Sequence, residues 1–142
     1  EISNYSLSGF EAVHNSKYWH FIPYAGFGAG AHSFTGSSRY SNNMSVSDYI
    51  NSKKVHYSFD DRCDSDAVVE FFMTSLRDLR GFSAGDFKAV TGSDIPGEIY
   101  LKLEKLIDEG MIALADGKYS FTREGLFRAN SVIYELTEDY IR

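Results

Sequence analysis

The chain has 142 residues, 43% of them hydrophobic, which is enough for an ordinary core. Its formal net charge of −6 would repel a phosphate backbone, because nucleic-acid affinity rests on Lys and Arg displacing counterions. Cys63 is the only cysteine, so an intrachain disulfide is excluded, as is a thiolate cluster without other ligands.

A reducing, cytoplasmic setting fits that cysteine usage. No apolar run approaches the roughly 20 residues of a membrane helix, and the first residues lack the basic and apolar regions of a signal peptide. Neither a membrane span nor a nucleic-acid partner is expected.

Residues 1 to about 60 are rich in Gly, Ser, Asn and aromatics, with short apolar stretches between turn-forming residues. This half is expected to be strands and site-bearing loops. Glu1-Ile2-Ser3-Asn4-Tyr5 starts without Met and looks like the end of a strand entering a loop, which predicts a chain cut from a larger protein. His14-Asn15-Ser16-Lys17-Tyr18-Trp19 follows, and on a helix His14 and Tyr18 share one face. Neutral imidazole ligates haem iron, and Tyr and Trp rings offer apolar surface to a porphyrin. Tyr18 and Trp19 equally suit core packing, and His14 a helix cap.

Next, Gly26-Phe27-Gly28-Ala29-Gly30-Ala31-His32-Ser33 lets backbone come close to a ligand, or simply packs as a tight strand. It lacks the glycine spacing of a dinucleotide-binding fingerprint. His20, His32 and His56 have no metal-site spacing, with His32 the best exception. A short helix is predicted from Ser47 to Lys53, capped by Ser45 or Ser47. The stretch from Asp60 to Asp66 lacks the Gly and Glu of a calcium loop and suits a solvated linker. Domain boundaries are therefore set at 1–62 and 63–142.

From Ser65 the apolar period becomes helical: Val69, Phe72, Met73, Leu76 and Leu79 form a stripe that Gly81 ends. Ser83 and Asp86 make a capping box for a second helix to about Val90, and Pro96 suits the first turn of a third. The third carries Ile99, Leu103, Leu106 and Ile107 and stops at Gly110. Met111 to Leu114 and Lys118 to Phe121 flank Asp116-Gly117, a type I′ hairpin signal, and so predict a two-stranded wing. Thr122 caps a last helix with Leu126, Ala129, Ile133, Leu136 and Tyr140 along one face. Helices, wing and helix make a winged-helix-like domain.

These residues resemble the C-terminal part of the oxygen-independent coproporphyrinogen III oxidase-like radical-SAM family. The resemblance rests on Glu1 to Tyr5, Gly9, Glu11, His14-Asn15, Tyr18-Trp19, Tyr24, Gly26, Gly28, Gly30 to Phe34, Arg39 and Asn42. Glu70-Phe71, Met73, Leu76-Arg77 and Gly81 match more loosely, as does the run from Leu106 to Gly125. Within that family, His-Asn-x-x-Tyr-Trp is associated with the haem chaperone branch, and His14 through Trp19 matches it completely.

The resemblance implies an α+β chain: terminal strands and helices of a partial (β/α) barrel, then the winged-helix-like domain. It implies haem or porphyrin binding by His14, Asn15, Tyr18 and Trp19, with His14 as an iron ligand, and delivery of haem to an acceptor protein. Gly28, Gly30 and His32 would lie near the cofactor. For the intact protein it implies a preceding barrel with a [4Fe–4S] cluster and S-adenosylmethionine. Cys63 cannot replace three cluster ligands, so no turnover is expected from this chain alone. The alternatives are anaerobic oxidation of coproporphyrinogen III by the intact protein, or a winged-helix protein-interaction module.

Overall fold

The computed structural model describes residues 2, 5–7, 9–51, 57–60 and 64–141. Its elements in chain order are α1 (Val13–Trp19), β1 (His32–Phe34), β2 (Arg39–Asn42), α2 (Val46–Asn51), β3 (Tyr57–Asp60), α3 (Asp64–Ser75), β4 (Phe82–Ser83), α4 (Ala84–Thr91), α5 (Gly97–Asp108), β5 (Ile112–Ala115), β6 (Lys118–Phe121), α6 (Arg123–Phe127) and α7 (Ala129–Thr137). A 3-10 turn, Glu138–Tyr140, follows. The chain is α+β, with small antiparallel sheets. It divides into one compact unit of Glu1–His20 and Asp64–Arg142 and a second of Phe21–Cys63. The boundary expected after residue 62 falls outside the described residues, as do His56 and Cys63.

The second unit is built on the antiparallel order β1-β2-β3, with His32 opposite Ser41 and Arg39 opposite Asp60. Ser45 Oγ accepts from the Asp48 N–H at 3.2 Å, so Ser45 is the cap of α2. The expected end of that helix at Lys53 lies outside the described residues.

In the first unit, α3 buries Val68, Phe71 and Phe72, and Leu76 is buried just beyond its end. Of the expected stripe Phe72 and Leu76 are fully buried, while Met73 is 47% and Leu79 45% exposed. The cause is the adjacent pair Phe71 and Phe72. Both join Phe82 and Phe87 in one cluster, so the buried face is centred between them. The helix also stops at Ser75 rather than reaching Gly81. Thr74 Oγ1 donates to the Glu70 carbonyl at 2.8 Å, and the chain then tightens as the Arg77 N–H donates to the Thr74 carbonyl.

Ser83 and Asp86 form the expected capping box, and Gly92 ends α4 in the left-handed conformation. Pro96 stands just before α5 rather than inside its first turn, its carbonyl accepting from the Ile99 and Tyr100 N–H groups. Ile99, Leu103 and Leu106 are buried. Asp116 and Gly117 both have positive φ, the geometry of a type I′ turn between β5 and β6. The hairpin gains a third strand, because β4 pairs with β6 in the order β4-β6-β5. Gly81 permits this: a Cβ there would collide with the Tyr119 carbonyl.

The single last helix expected after Thr122 is two helices. Thr122 caps α6 by accepting from the Gly125 N–H at 3.1 Å, while its N–H and hydroxyl tie it to Met111 and Gly110. That anchoring fixes the direction of α6. The backbone leaves helical geometry at Arg128, and α7 then packs Val132, Ile133 and Leu136 into the core against α3 and α5.

Candidate functional site

The seven residues of α1 bring the His-Asn-x-x-Tyr-Trp residues onto one short helix, none of them fully buried. Successive residues turn by about 100°, so His14 and Tyr18 share a face while Asn15 and Trp19 lie on the next one round. On the first face Tyr18 Oη and His14 Nε2 share a 3.0 Å hydrogen bond, and the rings meet edge to face with centroids 5.3 Å apart. His14 is exposed and Tyr18 is half-buried.

On the second face, Asn15 and Trp19 help line a cavity of about 270 Å³, together with Tyr5, Glu11, Leu79 and Arg80 among others. The Trp19 indole N–H is closed off from solvent and has no hydrogen-bond partner among the described residues. One wall of this cavity is a charged cluster. Arg80 Nε donates to Asp78 Oδ1 at 3.0 Å and its Nη2 donates to Oδ2 at 2.7 Å, while the Arg80 backbone N–H adds a bond to Oδ1. His20 Nδ1 lies 2.6 Å from the Ser16 carbonyl, which can only accept, so Nδ1 carries the proton. In neutral His20, Nε2 then accepts from Arg80 Nη2 at 3.1 Å.

Burial raises the Asp78 carboxyl, but the hydrogen bonds and charge of Arg80 outweigh it and hold Asp78 below the usual carboxylate range. The bond to Asp78 raises the Arg80 guanidinium in turn. Backbone N–H groups of Glu11 and Gly9 hold the Glu11 carboxyl low.

Gly28, Gly30 and His32 lie in the second unit. Gly28 and Gly30 have φ of +109° and +70°, so they serve a turn that other residues would strain. Buried Asn42 clamps this turn, donating through Nδ2 to the Gly28 carbonyl at 2.8 Å and to that of Gly26 at 3.3 Å. Tyr49 Oη accepts from the Gly28 N–H at 3.1 Å. His32 is exposed on β1.

Asp78, Arg80 and Tyr49 escape sequence reasoning, since their partners lie far along the chain and no periodic signal marks them. Asp78-x-Arg80 is the one local hint. Among the described residues no group of three His, Cys, Asp or Glu side chains is placed to hold a metal ion. No helix of the described residues is long and apolar enough to cross a membrane.

Residues 64–128 match the HemN C-terminal domain family. Heme chaperone HemW of Bacillus subtilis (strain 168) is 32% identical over 136 residues, covering 93% of this chain and 36% of that protein. Heme chaperone HemW of Buchnera aphidicola subsp. Schizaphis graminum (strain Sg) is 28% identical over 139 residues, covering 94% and 36%. Heme chaperone HemW of Lactococcus lactis subsp. lactis (strain IL1403) is 44% identical over 50 residues, covering 35% and 13%. No solved structure matches. The chain spans about a third of the length of the first two relatives. Along nearly all of its residues the chain is similar to the C-terminal portion of proteins named heme chaperone HemW, and residues 64–128 match the HemN C-terminal domain.

Proposed function

We propose that the chain contributes to haem binding and delivery within a longer haem chaperone-like protein. The observation that carries this reading is α1, where a ring nitrogen able to ligate iron stands beside an aromatic ring on an exposed face. Relatives named heme chaperone share over nine-tenths of the chain's length. In this reading His14 ligates haem iron, Tyr18 lies against the macrocycle, and Asn15 and Trp19 shape the adjoining wall. Because Nε2 is held by Tyr18, iron reaches that nitrogen only by exchanging one bond for the other. Gly28, Gly30 and His32 of the second unit are proposed separately as residues near a cofactor of the intact protein.

In this reading residues 63–142 are a winged-helix-like domain and residues 1–62 the C-terminal end of a partial barrel, in a cytoplasmic protein that hands haem to an acceptor. A [4Fe–4S] cluster and S-adenosylmethionine belong to that barrel. They do not fit the residues here, because three cluster thiolates cannot come from a chain whose one cysteine is Cys63. No step is derived through them.

Haem titration of the full-length protein tests the reading. His14→Ala is expected to weaken haem binding at least about tenfold and to change the absorption spectrum of the bound iron. Unchanged affinity and spectrum reject it. Anaerobic conversion of coproporphyrinogen III to protoporphyrinogen would assign oxidase chemistry instead.

A further inference from the structure

The cavity beside α1 has free donors on its wall. Both Asp78 oxygens take bonds from Arg80, and the exposed Glu11 carboxylate acts on Arg80 through its charge. By contrast, the Asn15 side-chain amide and Arg80 Nη1 carry no hydrogen bond among the described residues. Asp78 grips one edge of the guanidinium, and neutral His20 accepts from Nη2 through Nε2, so the group is held at two points. The remaining wall is largely apolar: Tyr5, Ala12, Trp19 and Leu79. The Trp19 N–H is closed off, so its ring supplies surface while Asn15 and Arg80 supply donors.

A fixed guanidinium with a free edge, an amide beside it and an apolar wall match a carboxylate carried on an apolar body. We propose that this cavity is a carboxylate-receiving site in which Arg80 and Asn15 bind a propionate of the porphyrin. Asp78 and His20 are positioning residues that hold the guanidinium. This assignment rests on the haem reading above. His20 directly follows α1, so its bond to Arg80 sets the guanidinium beside the helix that carries both His14 and Asn15.

The test compares haem with its dimethyl ester, in which both carboxylates are masked, on the full-length protein. Wild type is expected to bind the diester on the order of tenfold more weakly than haem. Arg80→Gln is expected to lose a similar factor for haem and nothing further for the diester, and Arg80→Lys to recover part of the loss. Equal binding of haem and diester by wild type overturns the proposal. So does an Arg80→Gln loss that is the same for both ligands, which would mark a purely structural role. The wild-type arm needs no variant to fold. Displacement of haem by succinate at comparable concentration would assign the cavity to a free small carboxylate and overturn the porphyrin assignment. If His14→Ala leaves haem binding unchanged while esterification still costs wild type tenfold, the iron-ligand reading falls and the carboxylate site stands. If haem does not bind at all, both fall.

Discussion

The body built on α3, α4, α5 and α7 and the helix α1 use their aromatic side chains in opposite ways. In the body, Phe71, Phe72, Phe82 and Phe87 are buried, with ring centroids 5.1 to 5.8 Å apart. On α1 the His14 and Tyr18 rings meet on a helix with no buried residue. Rings enclosed on every side contribute their surface to folding, whereas rings left partly open keep surface for a ligand. Stability and function should therefore separate when the two regions are mutated.

The largest effect expected is on the body. Phe72→Ala removes a ring with 0% exposure, at a cost of about 3–5 kcal/mol measured by chemical denaturation. His14→Ala should stay within about 0.5 kcal/mol in the same assay. Comparable losses from the two variants would break the comparison.

Gly81→Ala comes next. Gly81 has φ of +70°, and an added Cβ would meet the Tyr119 carbonyl, so about 2 kcal/mol should be lost as β4 is forced away from β6. A melting temperature equal to that of wild type would show that β4 is dispensable. Ser83→Ala removes one half of the capping box on α4, and about 1 kcal/mol should go with it.

These three positions also show what can be read from the chain before its fold is known. The capping box, the hairpin at Asp116-Gly117 and the apolar face of α5 are local patterns, and each forms where its spacing places it. The register of α3 does not follow from spacing, because two adjacent phenylalanines allow two faces and only Phe82 and Phe87 choose between them. The break at Arg128 depends on the tie from Thr122 to Gly110 and Met111, more than ten residues back. In the candidate site the pairing of His14 with Tyr18 is legible as an interval of four residues. Arg80 reaching His20, 60 residues away in sequence, is not.

Acid should loosen the wall that Arg80 and Asp78 build. The folded protein holds Asp78 below its ordinary value of 3.8 because Arg80 outweighs burial. Its contribution is present above that ordinary value and is lost as pH falls through the lower folded value. A melting temperature followed from pH 7 downward should fall less steeply at the acid end in Asp78→Asn than in wild type. Parallel curves would mean that the ion pair does not couple to folding.

The smallest effect expected is the most specific, and it has the opposite sign. Tyr18→Phe keeps the ring against His14 but removes the hydroxyl that shares the 3.0 Å bond with Nε2. In an exposed setting such a bond is worth about 0.5 kcal/mol, so stability should hardly change. The same bond must be broken before iron can reach Nε2, so its removal should raise haem affinity about twofold, with the spectrum of bound haem unchanged. The Phe71 and Phe72 rings offer no such change, since truncating either opens a cavity in the core. A weaker complex with an altered spectrum would make Tyr18 itself the iron ligand, because a tyrosine oxygen can also hold haem iron. Affinity of apo protein for haem, titrated side by side for wild type, Tyr18→Phe and His14→Ala, separates the two possibilities by sign alone.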